Sequence, residues 1–478
     1  GDNALTANTT GTRNVAIGQG TLQVNTTGNY NTSVGQYSSP ANTTGSNNTA
    51  LGRKALYANT TADNNTGIGY NALLSNTTGD SNTAVGTNSM NTNTVGDRNV
   101  AVGQGALYTY NPASNEDSYN TAVGYAALNL DTTGKKNTAI GGEALAANTT
   151  ADNNTALGYN ALTANTTGAH NTAVGSYALD ASTTSPYNTA VGYNALSAVT
   201  TGDGRNTAVG WNAGSALTTG AYNTAFGMQA LDSTTTGAQN CAFGAYSLDT
   251  NTTANYNCAF GYYSLQLNTT GASNVAIGYY ALQSNTTASY NTAIGDQALE
   301  KNTTGEKNNA VGYKALETNT TGSANTAFGH LTLNAATTAS DNTALGYQAL
   351  DHNTTGGDNT AVGSAALTAN TTASNNTAVG KNALGVNSTG SANTAVGNQA
   401  LDHNTTADYN SAFGAGALTA NTTGTQNTSV GYNSLEANTT TSHHTAVGFQ
   451  ALGSNTSGTA NTAVGSRALD ANTTGYAN

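Results

Sequence analysis

The stretch Tyr159–Gly175 (YNALTANTTGAHNTAVG) decides the fold, because the rest of the chain repeats it. From Asp2 to Gly465 the sequence contains twenty-seven consecutive copies of this seventeen-residue phrase, and Ser466–Asn478 begins another. A short, fixed period without other content is typical of a solenoid, in which each copy forms one coil. The sequence therefore predicts an all-β, parallel β-solenoid, or β-roll, of about 28 coils that forms a single continuous domain over residues 1–478.

Two glycine positions of the phrase behave differently from copy to copy. The closing glycine, Gly175 in the quoted stretch, is present in all twenty-seven complete copies. We expect it to need a positive φ or an approach too close for a Cβ atom. The turn glycine, Gly168, is replaced by alanine at Ala62 and by threonine at Thr441. We therefore expect a negative φ at the turn glycine, with room for a side chain.

The residues before the closing glycine alternate in character, which predicts a short β-strand. The threonine position (Thr172) and the apolar position (Val174, elsewhere Ile, Leu or Phe) share one face. The small position between them, Ala173, holds only Ala, Ser or Gly. We expect the apolar position and the leucine position (Leu162) to point into the coil, and a neighbouring chain to cover the alanine face. The strand asparagine, Asn171, is expected to bond to local backbone and to align in a ladder.

Two insertions interrupt the seventeen-residue period. The coil at 104–124 carries four extra residues, and the coil at 193–210 carries one. Both insertions fall between the leucine position and the strand asparagine, so we expect exposed turns there. The chain starts and stops inside the phrase, which favours a repeat region cut from a longer chain. Coils stacked about 4.8 Å apart would form a rod on the order of 130 Å long.

Composition excludes several classes of function. The net charge is −12, and the 12 Lys and Arg residues form no basic cluster, which argues against a nucleic-acid partner. No apolar run is long enough to span a bilayer in this region. We find no nucleophile with a base, no repeated pair of carboxylates, no phosphate loop and no repeated calcium pattern. The sequence predicts a protein that is not an enzyme and that needs no cofactor or metal.

The strand segments Asn14–Gly18 and Asn274–Gly278 (NVAIG), with the common form NTAVG, resemble the head repeats of trimeric autotransporter adhesins. Comparable repeats occur in phage tail-fibre-like proteins. The resemblance covers the whole chain but rests on five of every seventeen residues. It implies a left-handed β-roll, a homotrimer or self-assembling filament, and secretion to the cell surface. The other half of the phrase, A-L-x-x-N-T-T-G, departs from the adhesin pattern.

The Asn-Thr-Thr segment is a glycosylation sequon, and we name its asparagine the sequon position, Asn165 in the quoted stretch. Val199 and Leu217 replace it in two coils. We take these replacements to mean an outward residue that the coil does not need and that a glycan could decorate. The candidate glycosylation sites are Asn8, Asn25, Asn42, Asn59, Asn76, Asn148, Asn165, Asn251, Asn268, Asn285, Asn302, Asn319, Asn353, Asn370, Asn387, Asn404, Asn421, Asn438, Asn455 and Asn472.

Other side chains offer weaker candidates. Cys241 and Cys258 lie one period apart at the threonine position, close enough for a disulfide, with two small apolar groups as the alternative. His352 and His403 share a register but lie three coils apart, too far to share a metal. Tyrosines often follow the closing glycine and could bind glycans or proteins. We prefer to interpret them as a stacked column that stabilises the coil edge.

Three functions remain open at this stage. The first is a structural extracellular fibre, stalk or adhesin head, displayed on the surface and carrying glycans. The second is a receptor- or carbohydrate-binding module like those of phage tail fibres, with the insertion at Tyr108–Tyr119 as the best local candidate. The third is ice binding through stacked threonine columns, which occupied sequons would spoil. The partners expected are other copies of the chain, glycans or a host surface.

Overall fold

A computed structural model describes all residues, 1–478, and contains β-strands but no helix. The chain divides into two compact units, unit 1 at Gly1–Gln239 and unit 2 at Asn240–Asn478. Each unit is a parallel β-solenoid with one three-residue strand per coil of about seventeen residues. The predicted fold class is confirmed. The single continuous domain, the left-handed coiling of the β-roll and the trimer stay predictions.

The strands are numbered in chain order. Unit 1 contains β1 Val15–Ile17, β2 Thr32–Val34, β3 Thr49–Leu51, β4 Thr66–Ile68, β5 Thr83–Val85, β6 Val100–Val102, β7 Thr121–Val123, β8 Thr138–Ile140, β9 Thr155–Leu157, β10 Thr172–Val174, β11 Thr189–Val191, β12 Thr207–Val209 and β13 Thr224–Phe226. Unit 2 contains β14 Cys241–Phe243, β15 Cys258–Phe260, β16 Val275–Ile277, β17 Thr292–Ile294, β18 Asn309–Val311, β19 Thr326–Phe328, β20 Thr343–Leu345, β21 Thr360–Val362, β22 Thr377–Val379, β23 Thr394–Val396, β24 Ser411–Phe413, β25 Thr428–Val430, β26 Thr445–Val447 and β27 Thr462–Val464.

Within each unit, every strand pairs in parallel with the next, and equivalent positions face one another. In unit 1, Thr172 pairs with Thr155 on one side and with Thr189 on the other. Register is kept across both insertions, where Val100 pairs with Thr121 and Thr189 with Thr207. Like side chains therefore form continuous columns within a unit.

Most hydrogen bonds between coils lie outside the strands. The Leu162 N–H donates to the carbonyl of Ala178 at 2.9 Å, and the His170 N–H donates to the carbonyl of Asp152 at 3.2 Å. The closing glycine, Gly175, donates to the Leu157 carbonyl at 2.8 Å. A coil thus bonds to both neighbours around its whole circumference, which satisfies turn backbone that would otherwise need water.

The core of each coil is filled by the leucine position and by alanines. Leu162 and Ala173 are fully buried, whereas Thr172 and Val174 on the same strand are partly exposed. Gly67 occupies the small position in its coil, and a Cβ added there would lie 3.3 Å from Cγ of Leu56. The small position is small because the leucine of its own coil packs against it.

This arrangement corrects two predictions. The apolar position does not point into the coil, and no neighbouring chain is needed to cover the alanine face. The physical reason is the narrow cross-section of a seventeen-residue coil, whose interior has room for one leucine and a few methyl groups. The larger Val, Ile, Leu and Phe side chains take the outer face of the strand.

The closing glycines meet both conditions that we expected of them. Gly312 has φ +137°, and a Cβ atom there would lie 2.3 Å from the carbonyl oxygen of Gly329. The turn glycines have no positive φ outside the inserted coil at 193–210, as predicted. Their expected room is wrong, because a Cβ at Gly305 would lie 2.1 Å from the Gly322 carbonyl oxygen. Alanine at this position therefore requires a small backbone shift.

The leucine position has an unexpected backbone. Leu162 has φ +55°, and nearly every leucine at this position lies in the same left-handed region. A bulky residue there is unusual and costs about 1–2 kcal/mol. The buried side chain and the hydrogen bond from the leucine N–H to the next coil offset that cost.

Both insertions form exposed turns, as predicted. Residues 113–115 and Asp117 are exposed, while Pro112 is buried at the base of the turn. Lys135 contacts Glu116 at 2.7 Å, and Arg98 contacts Asp117, so ion pairs hold the larger insertion against both neighbouring coils. Asp203 and Arg205 of the smaller insertion are also exposed.

Candidate functional surfaces

The sequon asparagines form a buried ladder. The Asn165 side-chain amide donates to Oδ1 of Asn148 at 3.0 Å and to the carbonyl of Gly168 at 3.0 Å. The same two bonds recur from coil to coil, for example at Asn42 and Asn285. Each amide thus joins its own turn to the preceding coil, inside the solenoid.

The predicted outward orientation of the sequon position is therefore wrong. Eighteen of the twenty candidate glycosylation sites are buried, the exceptions being Asn8, which is exposed, and Asn472, which is half-buried. A glycan would replace one of the two amide hydrogen atoms, both of which are used in the ladder, and would find no space in the core. Val199 and Leu217, which we took as evidence of an outward residue, are buried replacements of the kind that a core position accepts.

The ladder ends where the next coil carries no amide. Oδ1 of Asn165 has no hydrogen-bond partner, because Ser182 follows it one coil later. Oδ1 of Asn319 is unpaired for the same reason, because Ala336 follows. A buried acceptor without a partner costs about 1–3 kcal/mol, so each gap is a weak point of its unit.

Asp131 begins a ladder rather than ending one. The preceding coil places the buried side chain of Tyr110, rather than an amide, at the sequon position. Oδ1 of Asp131 accepts from Nδ2 of Asn148 at 2.9 Å and from the Gly134 N–H at 3.0 Å. Oδ2 has no partner. Burial raises the pKa of the Asp131 carboxyl to about 8.

The strand asparagines form a second buried ladder. Oδ1 of Asn154 accepts the backbone N–H of Asn171 at 2.8 Å, and Nδ2 of Asn171 donates to the Ser185 carbonyl at 2.9 Å. The predicted ladder is confirmed, although its bonds reach neighbouring coils rather than local backbone. At the one exception, Nδ1 of His444 accepts the Asn461 N–H at 3.3 Å, and burial lowers the pKa of His444.

The two cysteines are strand neighbours with free thiols. Cys241 pairs with Cys258 in register, and both side chains are partly exposed on the outer side of their strands. Burial raises the pKa of the Cys241 thiol, and the adjacent Cys258 raises it further. The disulfide stays a prediction.

Tyrosines and their neighbours stack in columns along the exterior, as we preferred. Tyr262 and Tyr279 stack with ring centroids 5.9 Å apart, and Tyr263 and Tyr280 stack at 5.4 Å. In unit 1, the Arg205 guanidinium lies over the rings of both Tyr187 and Tyr222, at 5.2 and 5.3 Å. Because stacked rings cover one another's faces, the columns present ring edges to solvent.

Polar side chains do not converge into a site. No group of three or more His, Cys, Asp or Glu residues lies close enough to hold a metal ion. Nδ1 of His352 and Nδ1 of His403 each contact a threonine carbonyl oxygen at 3.0 Å. A pocket of about 160 Å³ lies among Glu436, Gln450 and Asp470, smaller than the 300–1,000 Å³ of most ligand sites. No helix could serve as a membrane span.

The outer side of the strands forms a uniform surface, which we call the strand face. It consists of the residues at the threonine and apolar positions, and none of these residues is buried in any strand. It carries no Asp, Glu, Lys, Arg or His side chain. Phe243 and Phe260 stack on it with ring centroids 4.6 Å apart.

Sequence reasoning missed the strand face although a signal was present. The small position never exceeds serine in size, whereas the apolar position varies from valine to phenylalanine. A packed interior tolerates little change in volume. The position that varies in volume is therefore the outer one. Comparison with known proteins adds nothing to this, because no protein-family model and no curated protein matches the chain.

Proposed function

We propose that this chain is a structural repeat protein of an extracellular fibre or stalk. The observation that carries the proposal is the hydrogen bonding of each coil to both neighbours, by strand, turn and side-chain amide alike. Such bonding makes each unit stiff along its stacking direction, as a spacer requires. A solenoid can also be lengthened by adding coils, because each added coil makes the same contacts with its neighbour as the coils before it.

Display outside the cell and adhesion are part of the same proposal. They are supported by the resemblance to trimeric autotransporter heads and by a composition rich in Thr, Asn and Gly with few charges. The resemblance also favours three copies of the chain. Adhesion would then depend on a repeated surface and would need no single residue.

Labelling of intact cells that produce the chain tests this proposal. We expect antibodies against the exposed insertion, residues 113–117, to label projecting filaments on unopened cells in electron micrographs. An antibody against a cytosolic protein serves as the control for cell integrity. Labelling that requires permeabilised cells would contradict an extracellular fibre.

A receptor- or carbohydrate-binding role is the second candidate, and the inserted coil favours it. The exposed turn at residues 113–117 is braced by ion pairs on both sides, and Tyr119 beside it is exposed. A protein lacking residues 112–115 would keep its solenoid and lose binding on a glycan array. Equal binding by both proteins, or none by either, would remove this candidate.

A further inference from the structure

The strand face exposes more apolar surface than a typical monomer does. In unit 2 the exposed residues at its apolar position range from 36% exposure at Val430 to 71% at Val464. They are Phe243, Phe260, Ile277, Ile294, Phe328, Leu345, Phe413, Val430 and Val464. At about 150–200 Å² for a side chain of this size, these nine expose roughly 600–800 Å². The largest apolar patch on a typical monomer is about 300–600 Å².

The partly exposed residues between these nine belong to the same column. Val311, Val362 and Val396 occupy the apolar position of intervening coils, so the column is unbroken through unit 2. The methyl groups of the threonine position lie beside it. Together they reach the roughly 800 Å² that each partner buries in a standard protein interface. The same face in unit 1 exposes Ile17, Leu51, Ile140, Leu157 and Phe226.

The chemistry of the strand face restricts its occupant. The chain carries 36 Lys, Arg, Asp and Glu residues in total, and none of them lies on this face. A charged or strongly hydrated partner would therefore lose its water without finding a counter-charge. The occupant must be apolar where it meets the Val, Ile, Leu and Phe column.

The geometry restricts the occupant further. The apolar column repeats once per coil, at the strand spacing of about 4.8 Å. A partner that covers it over a whole unit must be equally long and must repeat at the same step. A second copy of this chain meets both conditions, because its own strand face has the same period and composition.

We propose that copies of this chain associate through their strand faces, apolar column against apolar column. The inference rests on the proposed function, since it names the surface by which the fibre would assemble. It also places the contact on the side of the strand opposite to the alanine face. Variation between Val, Ile, Leu and Phe from coil to coil sets the register in which two copies fit.

Ice is the alternative occupant, since ice binding requires a flat face of regularly stacked threonines. The strand face of unit 2 does not present a regular lattice of hydroxyl groups. Cys241, Cys258, Val275 and Asn309 interrupt its threonine column, and Phe243, Phe260, Phe328 and Phe413 project from the other. These interruptions favour packing against another apolar surface.

The test places lysines on the strand face of the full chain, produced in a host without N-glycosylation. Ile277 and Ile294 lie on adjacent strands and are exposed, so I277K with I294K should preserve the fold. The matched control is T270K with T287K, at two exposed turn positions of the same two coils. Circular dichroism compares the folds, and light scattering measures the masses.

We expect the wild type and the control to have a small-integer multiple of 47.7 kDa and the strand-face variant to have 47.7 kDa. Maleimide labelling gives a second readout, because Cys241 and Cys258 lie on the strand face. Their labelling should be at least tenfold slower in the wild type than in the variant. A monomeric wild type, or a variant that stays associated with slow labelling, would overturn the inference.

Three further outcomes separate the proposals. A monomeric wild type with thermal hysteresis that the lysines abolish would make ice the occupant. A monomeric wild type that labels on intact cells would leave the extracellular fibre standing and remove only association through the strand face. Association without cell-surface labelling would leave association through the strand face standing and remove the extracellular fibre.

Discussion

At the scale of single residues, this fold depends on backbone conformations that side chains usually avoid. The closing glycine needs both a positive φ and the absence of a Cβ atom. The leucine position accepts a positive φ because its side chain fills the core. Because bulky side chains rarely adopt a positive φ, the sequence predicted this conformation at the closing glycine but not at the leucine position.

Two glycines of one coil should therefore differ in their tolerance of alanine. Gly363→Ala places a Cβ at a φ of +137°, where none of the twenty-seven coils carries a side chain, so we expect a loss of several kcal/mol of unfolding free energy. Gly356→Ala is the matched control: its Cβ would also meet a backbone carbonyl, that of Ala373, but its φ is not positive, and Ala339 and Ala373 show that the adjacent coils accommodate alanine at this turn position. It should cost less than about 1 kcal/mol. Thermal unfolding of the two variants checks the order, and equal losses would contradict it.

Filling a ladder gap should stabilise unit 2. Ala336→Asn would give Oδ1 of Asn319 its missing donor and would give Nδ2 of Asn353 an acceptor. At about 0.5–1.5 kcal/mol per hydrogen bond, the gain should be roughly 1–3 kcal/mol of unfolding free energy. Ala335→Asn, one residue earlier and half-buried, is the control and should gain nothing. A destabilised Ala336→Asn variant would mean that the gap cannot accept an amide.

Asp131 should make unit 1 sensitive to alkali. Its pKa is about 8 in the folded state against an ordinary value of 3.8. As the pH rises, the carboxyl therefore loses its proton at a lower pH in the unfolded state than in the folded state. Stability from the protonated carboxyl is complete below pH 3.8, falls as the pH rises, and is lost by about pH 8. Asp131→Asn should remove this loss and unfold at a higher temperature than the wild type at pH 8.5.

The measurement is thermal unfolding of the wild type and the variant at pH 5.5 and 8.5. The exposed Asp341→Asn variant controls for the general loss of a negative charge. If the difference between wild type and Asp131→Asn is the same at both pH values, the carboxyl is not perturbed by burial.

At the scale of the element, the coil behaves as one layer of core rather than as a strand with loops. Its strand has only three residues, and most of its bonds to neighbouring coils come from the turns. The sequence predicted the period, the strand and the insertions, because these follow from spacing. It did not predict which side of the strand faces inward, because two signals disagreed. The apolar character of Val174 indicated that this side chain points inward, whereas the restricted side-chain volume at Ala173 indicated that the alanine does. In a coil this narrow, volume decides.

The leucine position should therefore carry most of the apolar stability of a coil. Leu162→Ala leaves a cavity in a fully buried site and should cost about 2–5 kcal/mol of unfolding free energy. Thr167→Ala, at an exposed turn position of the same coil, should cost less than about 0.5 kcal/mol. Chemical denaturation gives both values. A loss below about 1 kcal/mol at Leu162 would show that the ladders, not the leucines, hold the coil.

At the scale of the whole molecule, stability is a sum over neighbouring coils. Removing one complete period, residues 279–295, brings Gly278 next to Asp296 and keeps every column in register. We expect this variant to fold and to unfold within a few degrees of the wild type. Removing only residues 279–286 leaves nine residues, which cannot complete a coil. The smaller deletion should be the more damaging one, as circular dichroism and thermal unfolding would report.

The buried amide ladders also bear on how the protein ages. Asparagine is among the residues most prone to slow chemical breakdown, and the ladders place one or two buried asparagines in nearly every coil. Enclosing the amides and holding their hydrogen atoms in bonds keeps them away from the water that would hydrolyse them. Where one is lost, an acid takes its place, and Asp131 shows that a single acid can be accommodated. Decay should therefore begin at the interrupted ladders, where an amide oxygen lacks its partner, and should first disturb the coils on either side of the gap.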